Sequence, residues 1–327
     1  MSTTKISTHR SSIMGISIIM IIIFHTDIFY PHILKMIKNL GDFGVNIFLA
    51  ISGFSMCYAW KKCPDVGTFL KNRFLRIGIT ILPITILWNI YVFLNHEITL
   101  FEAICTTLTI QFWINGNTFQ WFVSGILVLY LITPFWMKLY DQNKILCYLL
   151  SIAISIVCLI LPLMNMFTYI MCFMQRVPAY FIGLYLGKHA IENKQDTKTM
   201  RILLWVSLLI GVAGFASNGF YTMDYKWKYI LYTVLTYPVL MLLSYLFETI
   251  SGNKKGIVLP FLGAITLEIY LFQEKILKLS HIIFGTANIM FDKKNIVINI
   301  IVITATILIG YFYHIITGVI YKKLRSS

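Results

Sequence analysis

The sequence predicts an all-α fold, a polytopic membrane bundle of about ten transmembrane helices. Hydrophobic residues make up 58% of the 327 residues and charged residues only 12%, and the mean hydropathy is +0.78. Soluble domains carry about 25% charged residues. The apolar runs are roughly 17 to 25 residues long, enough for a helix to cross a hydrocarbon core of about 30 Å with its backbone hydrogen bonds closed internally. We therefore treat residues 1–327 as one membrane-embedded domain.

Short polar connections separate the apolar segments, and the longest of them, Glu192 to Arg201, is only a loop. The apolar stretch from Thr99 to Trp113 is too short to cross a bilayer, so it is predicted to be a re-entrant or interfacial helix. The ten predicted spans are residues 12–30, 43–60, 74–94, 120–138, 145–164, 174–190, 202–217, 228–247, 257–274 and 295–320.

The distribution of charge orients these spans. Two thirds of the 27 Lys and Arg residues lie in segments on the same side as the two termini, and the positive-inside rule places that side, with both termini, in the cytoplasm. The net charge of +14 is dispersed over helix ends rather than gathered into a basic patch with aromatics, so no nucleic-acid binding is predicted. The six cysteines form no CxxC pair, and we predict neither a disulfide framework nor a metal site.

The first span holds one histidine, His25, in a run of Ile, Met and Phe residues. Ionisable side chains at membrane depth usually point into a bundle or a wet cavity, which favours a functional role. The alternative is a histidine that only makes a hydrogen bond between helices.

The next two spans carry polar groups in a regular pattern. Asn46, Ser52 and Gly53 lie within the second span, where helix packing alone can account for them. Arg73 and Arg76 are three residues apart at the start of the third span, so their guanidiniums share one helix face and suit a phosphate group. The alternative is that they only set the membrane orientation.

Three later residues also stand out against their surroundings. Trp121 lies at the outer end of the fourth span, where aromatic residues are common. Arg176 precedes the sixth span on the outer side, and Glu268 lies inside the ninth. An acid within a membrane helix must be paired, protonated or functional.

Taken in order, these motifs resemble the acyltransferase-3 family of multipass membrane O-acyltransferases. The resemblance runs from about Ser12 to Gln273. Each motif is weak alone, but six in the right order on ten spans are fairly specific. The motifs are the His25-bearing first span, Gly44-Val45-x-x-Phe48 with Ser52-Gly53-Phe54, Arg73-x-x-Arg76, Trp121-Phe122, Arg176-x-Pro178-x-x-Phe181-x-Gly183-x-x-x-Gly187, and Glu268-Ile269-Tyr270-Leu271.

The resemblance implies a bacterial cytoplasmic-membrane enzyme that moves an acyl group, usually acetyl from acetyl-CoA, to a hydroxyl of a cell-envelope glycan or lipid-linked sugar. It implies no metal. His25 would be the catalytic base, and Arg73 and Arg76 would lie on the coenzyme side. The residues assigned to substrate or coenzyme binding are Arg73, Arg76, Ser52, Asn46, Trp121 and Arg176.

Two positions depart from the family pattern. The family has an Arg eleven residues before its His, where this chain has Met14, and Arg10 lies one turn further back. We expect the long side chain of Arg10 to take over that role, since it can extend along the helix. Gln273 stands where the family often has His, and it cannot titrate near neutrality. Glu268 is the third predicted catalytic residue; it or Asn46 would orient His25.

Two other classes of function remain open. A polysaccharide exporter or flippase-like protein would keep the bundle without the chemistry, and the loss of the hallmark Arg at Met14 favours it slightly. His25, Arg73 and Arg76 argue against it, because a conduit has no evident use for a phosphate clamp on the coenzyme side. A structural or sensory protein has no positive feature to support it.

Overall fold

The computed structural model describes residues 3–26, 31–116, 120–194, 197–217, 225–251, 256–284 and 293–326, and no strand occurs within these ranges. The helices are α1 (Thr4–Phe24), α2 (His32–Leu40), α3 (Phe43–Lys62), α4 (Val66–Leu94), α5 (Leu100–Thr107), α6 (Gln111–Asn115), α7 (Trp121–Gln142), α8 (Lys144–Leu163), a 3-10 turn (Thr168–Ile170), α9 (Met171–Met174), α10 (Val177–Ile191), α11 (Lys198–Ser217), α12 (Tyr225–Ser251), α13 (Val258–Ala264), α14 (Thr266–Phe284) and α15 (Lys293–Ser326).

The predicted helical membrane bundle is confirmed. Eight of the helices in the described ranges are long and apolar enough to cross a membrane. All ten predicted spans fall on helices. The two predicted spans outside those eight are the sixth, where α10 has only 15 residues, and the ninth, which is divided between α13 and α14.

The first helix lies further toward the N-terminus than expected. The prediction was a span over 12–30, whereas α1 covers Thr4–Phe24, and residues 27–30 lie outside the described residues. Side chains hydrogen-bond to carbonyl oxygens in the last turn of the helix: His25 to that of Ile21, and Gln273 to that of Ile22. His25 therefore lies at the end of α1, not within the helix as the prediction had it.

The ninth predicted span is also corrected. A break at Ile265 separates α13 from α14. The short α13 packs tightly on α1, since a Cβ added at Gly15 or Gly263 would collide with backbone carbonyl oxygens of the other helix. This close approach holds α1 beside the start of α14.

The centre of the bundle is the contact between α3 and α10. A Cβ at Gly53 would meet the carbonyl oxygen of Tyr180, and one at Gly183 would meet that of Ala50. The glycines of both motifs thus let the two backbones approach closely, as the packing interpretation predicts. The rigid pair α3 and α10 supports residues at the ends of both helices.

The stretch from Thr99 to Trp113 forms α5 and most of α6, and neither helix is long enough to cross a bilayer. Thr99 and Glu102 make a capping box at the start of α5. Asn89 of α4 donates to the carbonyl of Ala103 at 3.1 Å and so ties α5 to α4.

Candidate active site

A cavity of about 440 Å³ opens beside the end of α1. Its volume is within the range of about 300 to 1,000 Å³ typical of small-molecule sites. The predicted site residues His25, Trp121 and Arg176 all line it. Its other polar lining residues are Asp42, Cys172, Tyr229, Thr266, Tyr270, Gln273 and Glu274.

His25 caps the C-terminus of α1. Its Nδ1 lies 2.9 Å from the carbonyl oxygen of Ile21, and its backbone N–H donates to the same oxygen at 3.1 Å. A carbonyl oxygen only accepts, so Nδ1 carries the proton and the neutral ring keeps its lone pair on Nε2. With an ordinary pKa of about 6.5, an imidazole is mostly neutral at pH 7. The geometry therefore presents a base at the cavity.

Arg176 is only 2% exposed and is held from several sides. Its guanidinium makes a salt bridge with Asp42 and donates to the carbonyl of Cys172 at 2.9 Å. It lies 4.8 Å from the ring centroid of Trp121 and 4.5 Å from that of Tyr229, as in cation–π contacts. Because the charge is paired with Asp42 and the guanidinium lies between two aromatic rings, Arg176 fixes the cavity wall rather than offering a free charge.

Asp42, which the sequence analysis missed, completes this network. The carboxylate is 4% exposed and also binds Nζ of Lys228 at 3.0 Å, so two cations compensate its burial. Its negative charge acts on His25 together with the opposing positive charges of Lys38 and Arg176. The sequence signal that could have identified Asp42 is its position as an acid immediately before a transmembrane segment.

Helix α14 forms another wall of the cavity. Nε2 of Gln273 donates to the carbonyl oxygen of Ile22 at 3.1 Å, which binds the last turn of α1 to α14. Gln273 thus supports the backbone next to His25 instead of titrating. Its neighbour Glu274, also missed from the sequence, lines the same cavity.

Arg10, Arg73 and Arg76 form an arginine cluster far from this cavity. Arg10 interacts electrostatically with both of the others, and its Nη1 lies 3.5 Å from Oγ of Ser55. Arg10 is 15 residues before His25, or about 22 Å along a helix. No carboxylate forms a salt bridge with the cluster in the part of the chain that the structure describes. Three unneutralised guanidiniums suit a polyanion.

Ser52 lies with the arginine cluster rather than with His25. Its hydroxyl hydrogen-bonds the phenol of Tyr130, and that phenol interacts with the charges of Arg73 and Arg76. The structure thus places His25, Trp121 and Arg176 at the cavity by the end of α1. It places Ser52 with the arginine cluster, toward the start of α1.

Glu268 and Asn46 do not orient His25, contrary to expectation. Oε1 of Glu268 lies 2.7 Å from Nδ1 of His314, so its carboxylate is used elsewhere. Asn46 is fully buried, and neither amide atom has a hydrogen-bond partner among the described residues. The group that orients His25 is the carbonyl of Ile21, which follows from where α1 ends.

Comparison with known protein families identifies the family of this chain. The family described as "Acyltransferase domain" matches residues 14–315, nearly the whole chain. No curated protein and no solved structure matches.

Proposed function

Since the chain belongs to the acyltransferase-3 family and is a multipass membrane acyltransferase, we propose that it moves an acetyl group from acetyl-CoA to a hydroxyl of a cell-envelope glycan or lipid-linked sugar. The observation that carries the proposal is the fixed imidazole of His25, whose Nε2 lone pair is directed away from the Nδ1 contact with Ile21 at a cavity of suitable size. An exporter has no need for a base held in one tautomer.

In the proposed reaction, Nε2 of His25 takes the proton of the sugar hydroxyl as its oxygen attacks the thioester carbon. The new C–O bond forms, the C–S bond breaks, and coenzyme A leaves as a thiolate that then takes the proton from the imidazolium. General-base catalysis of this kind contributes about 10² to 10⁴ in rate. A transient acyl-imidazole on His25 is the other possible route.

In this proposal the arginine cluster binds the phosphates of the coenzyme. Coenzyme A carries several phosphates, and guanidiniums bind phosphate through charge-assisted hydrogen bonds. Arg10 lies in this cluster although Met14 occupies the position of the hallmark arginine. The separation of about 22 Å along α1 leaves room for a long, extended donor whose acyl end reaches His25.

The charge of the coenzyme end gives a first prediction. The double change Arg73→Gln and Arg76→Gln should raise the KM for acetyl-CoA at least tenfold and leave the KM for the acceptor within about twofold, because a contact to a charged group contributes about 1.5 to 3 kcal/mol. The measurement is transfer of acetyl-labelled acetyl-CoA to alkali-labile esters of the glycan by the purified protein.

Lys71→Gln is the matched control, since it removes an exposed charge from the same helix start. Acetyl-pantetheine, which lacks the phosphates, should be affected much less than acetyl-CoA by the double change. An unchanged KM for acetyl-CoA would leave the pair with a role in membrane orientation only.

The proposed location is the bacterial cytoplasmic membrane, with both termini in the cytoplasm. This orientation brings the arginine cluster to the cytosolic pool of acyl-CoA and the end of α1 to the outer side. An impermeant thiol reagent added to intact cells should label Asn95→Cys and not Lys194→Cys, whereas both should react after permeabilisation. Labelling of position 194 in intact cells would reverse the orientation.

A further inference from the structure

Glu274 and His25 line the same cavity from neighbouring helices. The hydrogen bond from Gln273 to the carbonyl of Ile22 fixes this turn of α14 against the last turn of α1. A molecule that fills the cavity therefore contacts both residues.

The carboxylate of Glu274 is not engaged by the lysines that follow it. Nζ of Lys275 donates to the carbonyl of Leu271 at 3.3 Å, and Nζ of Lys278 binds Glu97 at 2.9 Å. Both act on Glu274 only at longer range. Among the described residues it makes no salt bridge, so its oxygens are available to accept hydrogen bonds from a ligand.

The other charged groups in and behind the cavity wall are engaged with one another. Asp42 is bound by Arg176 and Lys228, and the guanidinium of Arg176 is enclosed by its aromatic neighbours. Within the described ranges, Glu274 is thus the one acidic or basic side chain of the lining, apart from His25, that makes no salt bridge. An anionic group bound directly against the Glu274 carboxylate would be repelled by its negative charge.

Six aromatic side chains contribute to the rest of the lining. Phe122 packs against Tyr270 with ring centroids 5.4 Å apart, and both line the cavity with Trp121. A sugar ring combines apolar C–H faces, which pack on such rings, with hydroxyl donors at its edge. A carboxylate accepts at both oxygens and so can bind two neighbouring hydroxyls.

We propose that Glu274 determines acceptor specificity, by accepting hydrogen bonds from hydroxyls of an uncharged sugar and disfavouring sugars that carry a uronate or a phosphate. This inference rests on the proposed function, in which His25 activates the reacting hydroxyl. Glu274 binds the acceptor and takes no proton from the reacting hydroxyl.

The test uses the purified full-length protein with acetyl-CoA and two acceptors of similar size, methyl glucoside and methyl glucuronide. Acetyl transfer to each is measured by mass spectrometry. Wild type should use the glucoside at least tenfold better in kcat/KM. Glu274→Gln should raise the KM for the glucoside about tenfold, with kcat less affected, and should reduce the preference at least tenfold. Glu274→Asp, which keeps the charge, should retain the preference.

Glu102→Gln is the matched control, because it removes an acid that does not line the cavity. Glutamine still fits the capping box of α5. It should leave the preference unchanged. His25-dependent release of coenzyme A shows that the proposed function itself holds. Provided that this release persists, the inference about Glu274 is wrong if Glu274→Gln keeps the wild-type preference. It is also wrong if wild type prefers the glucuronide or acetylates neither sugar. Loss of His25 dependence contradicts the proposed function instead.

Discussion

Replacing His25 with glutamine should lower acetyl transfer to the envelope glycan at least a hundredfold while leaving a folded membrane protein. Glutamine can still donate a hydrogen bond toward the carbonyl of Ile21, so the end of α1 keeps its cap. It has no group that takes a proton near neutrality, and loss of a general base typically costs about 10² to 10⁴ in rate. His25→Ala should be equally inactive and somewhat less stable, because it also removes the cap.

The measurement is mass spectrometry of surface glycan esters in cells with matched membrane abundance of each variant. His281→Gln is a suitable control, since that histidine lies on α14 outside the residues that line the cavity. Full acylation by His25→Gln, in a strain without a second acyltransferase, would end the catalytic interpretation. It would also revive the exporter hypothesis, which expects no chemical role for His25.

Much of the fold follows from hydrophobicity alone, because bilayer thickness sets the length of each span. The same reasoning identified His25, since a titratable ring in an apolar run stands out whatever its neighbours are. It placed the ring within the helix and not at its end, however, because the bounds of α1 depend on contacts with α13 and α14. Gln273 is separated from Ile22 by most of the chain.

The residues that sequence reasoning missed or misassigned depend on which helix faces meet. Asp42 and Glu274 did not stand out in the sequence, and only the packing of α3 and α14 around α1 brings them to one cavity. Glu268 looked like a partner for His25, yet His314, 46 residues later, takes its carboxylate. No local pattern reveals such pairings, because spans far apart in sequence make them.

Arg10→Ala should lower acetyl transfer at least tenfold, with the loss expressed mainly as a higher KM for acetyl-CoA. Arg10 lies in the arginine cluster, where the charges of Arg73 and Arg76 repel it and no acid compensates them among the described residues. The three cations repel one another, and a bound polyanion would offset that repulsion. Removal of one should therefore weaken the donor complex and relieve repulsion in the free protein.

Because the repulsion is relieved, Arg10→Ala should leave thermal stability unchanged or raised while activity falls. A purely structural role for Arg10 predicts instead that stability and activity fall together. Met14→Arg in the same background should restore part of the activity, since position 14 is one turn nearer His25 and shares a face with position 10. Arg201→Ala, an exposed arginine at the start of α11, is the control. Steady-state kinetics with acetyl-CoA and a thermal melt of the purified variants decide the matter. A melting temperature that falls together with activity, without rescue by Met14→Arg, would make Arg10 a structural residue and leave the coenzyme to Arg73 and Arg76.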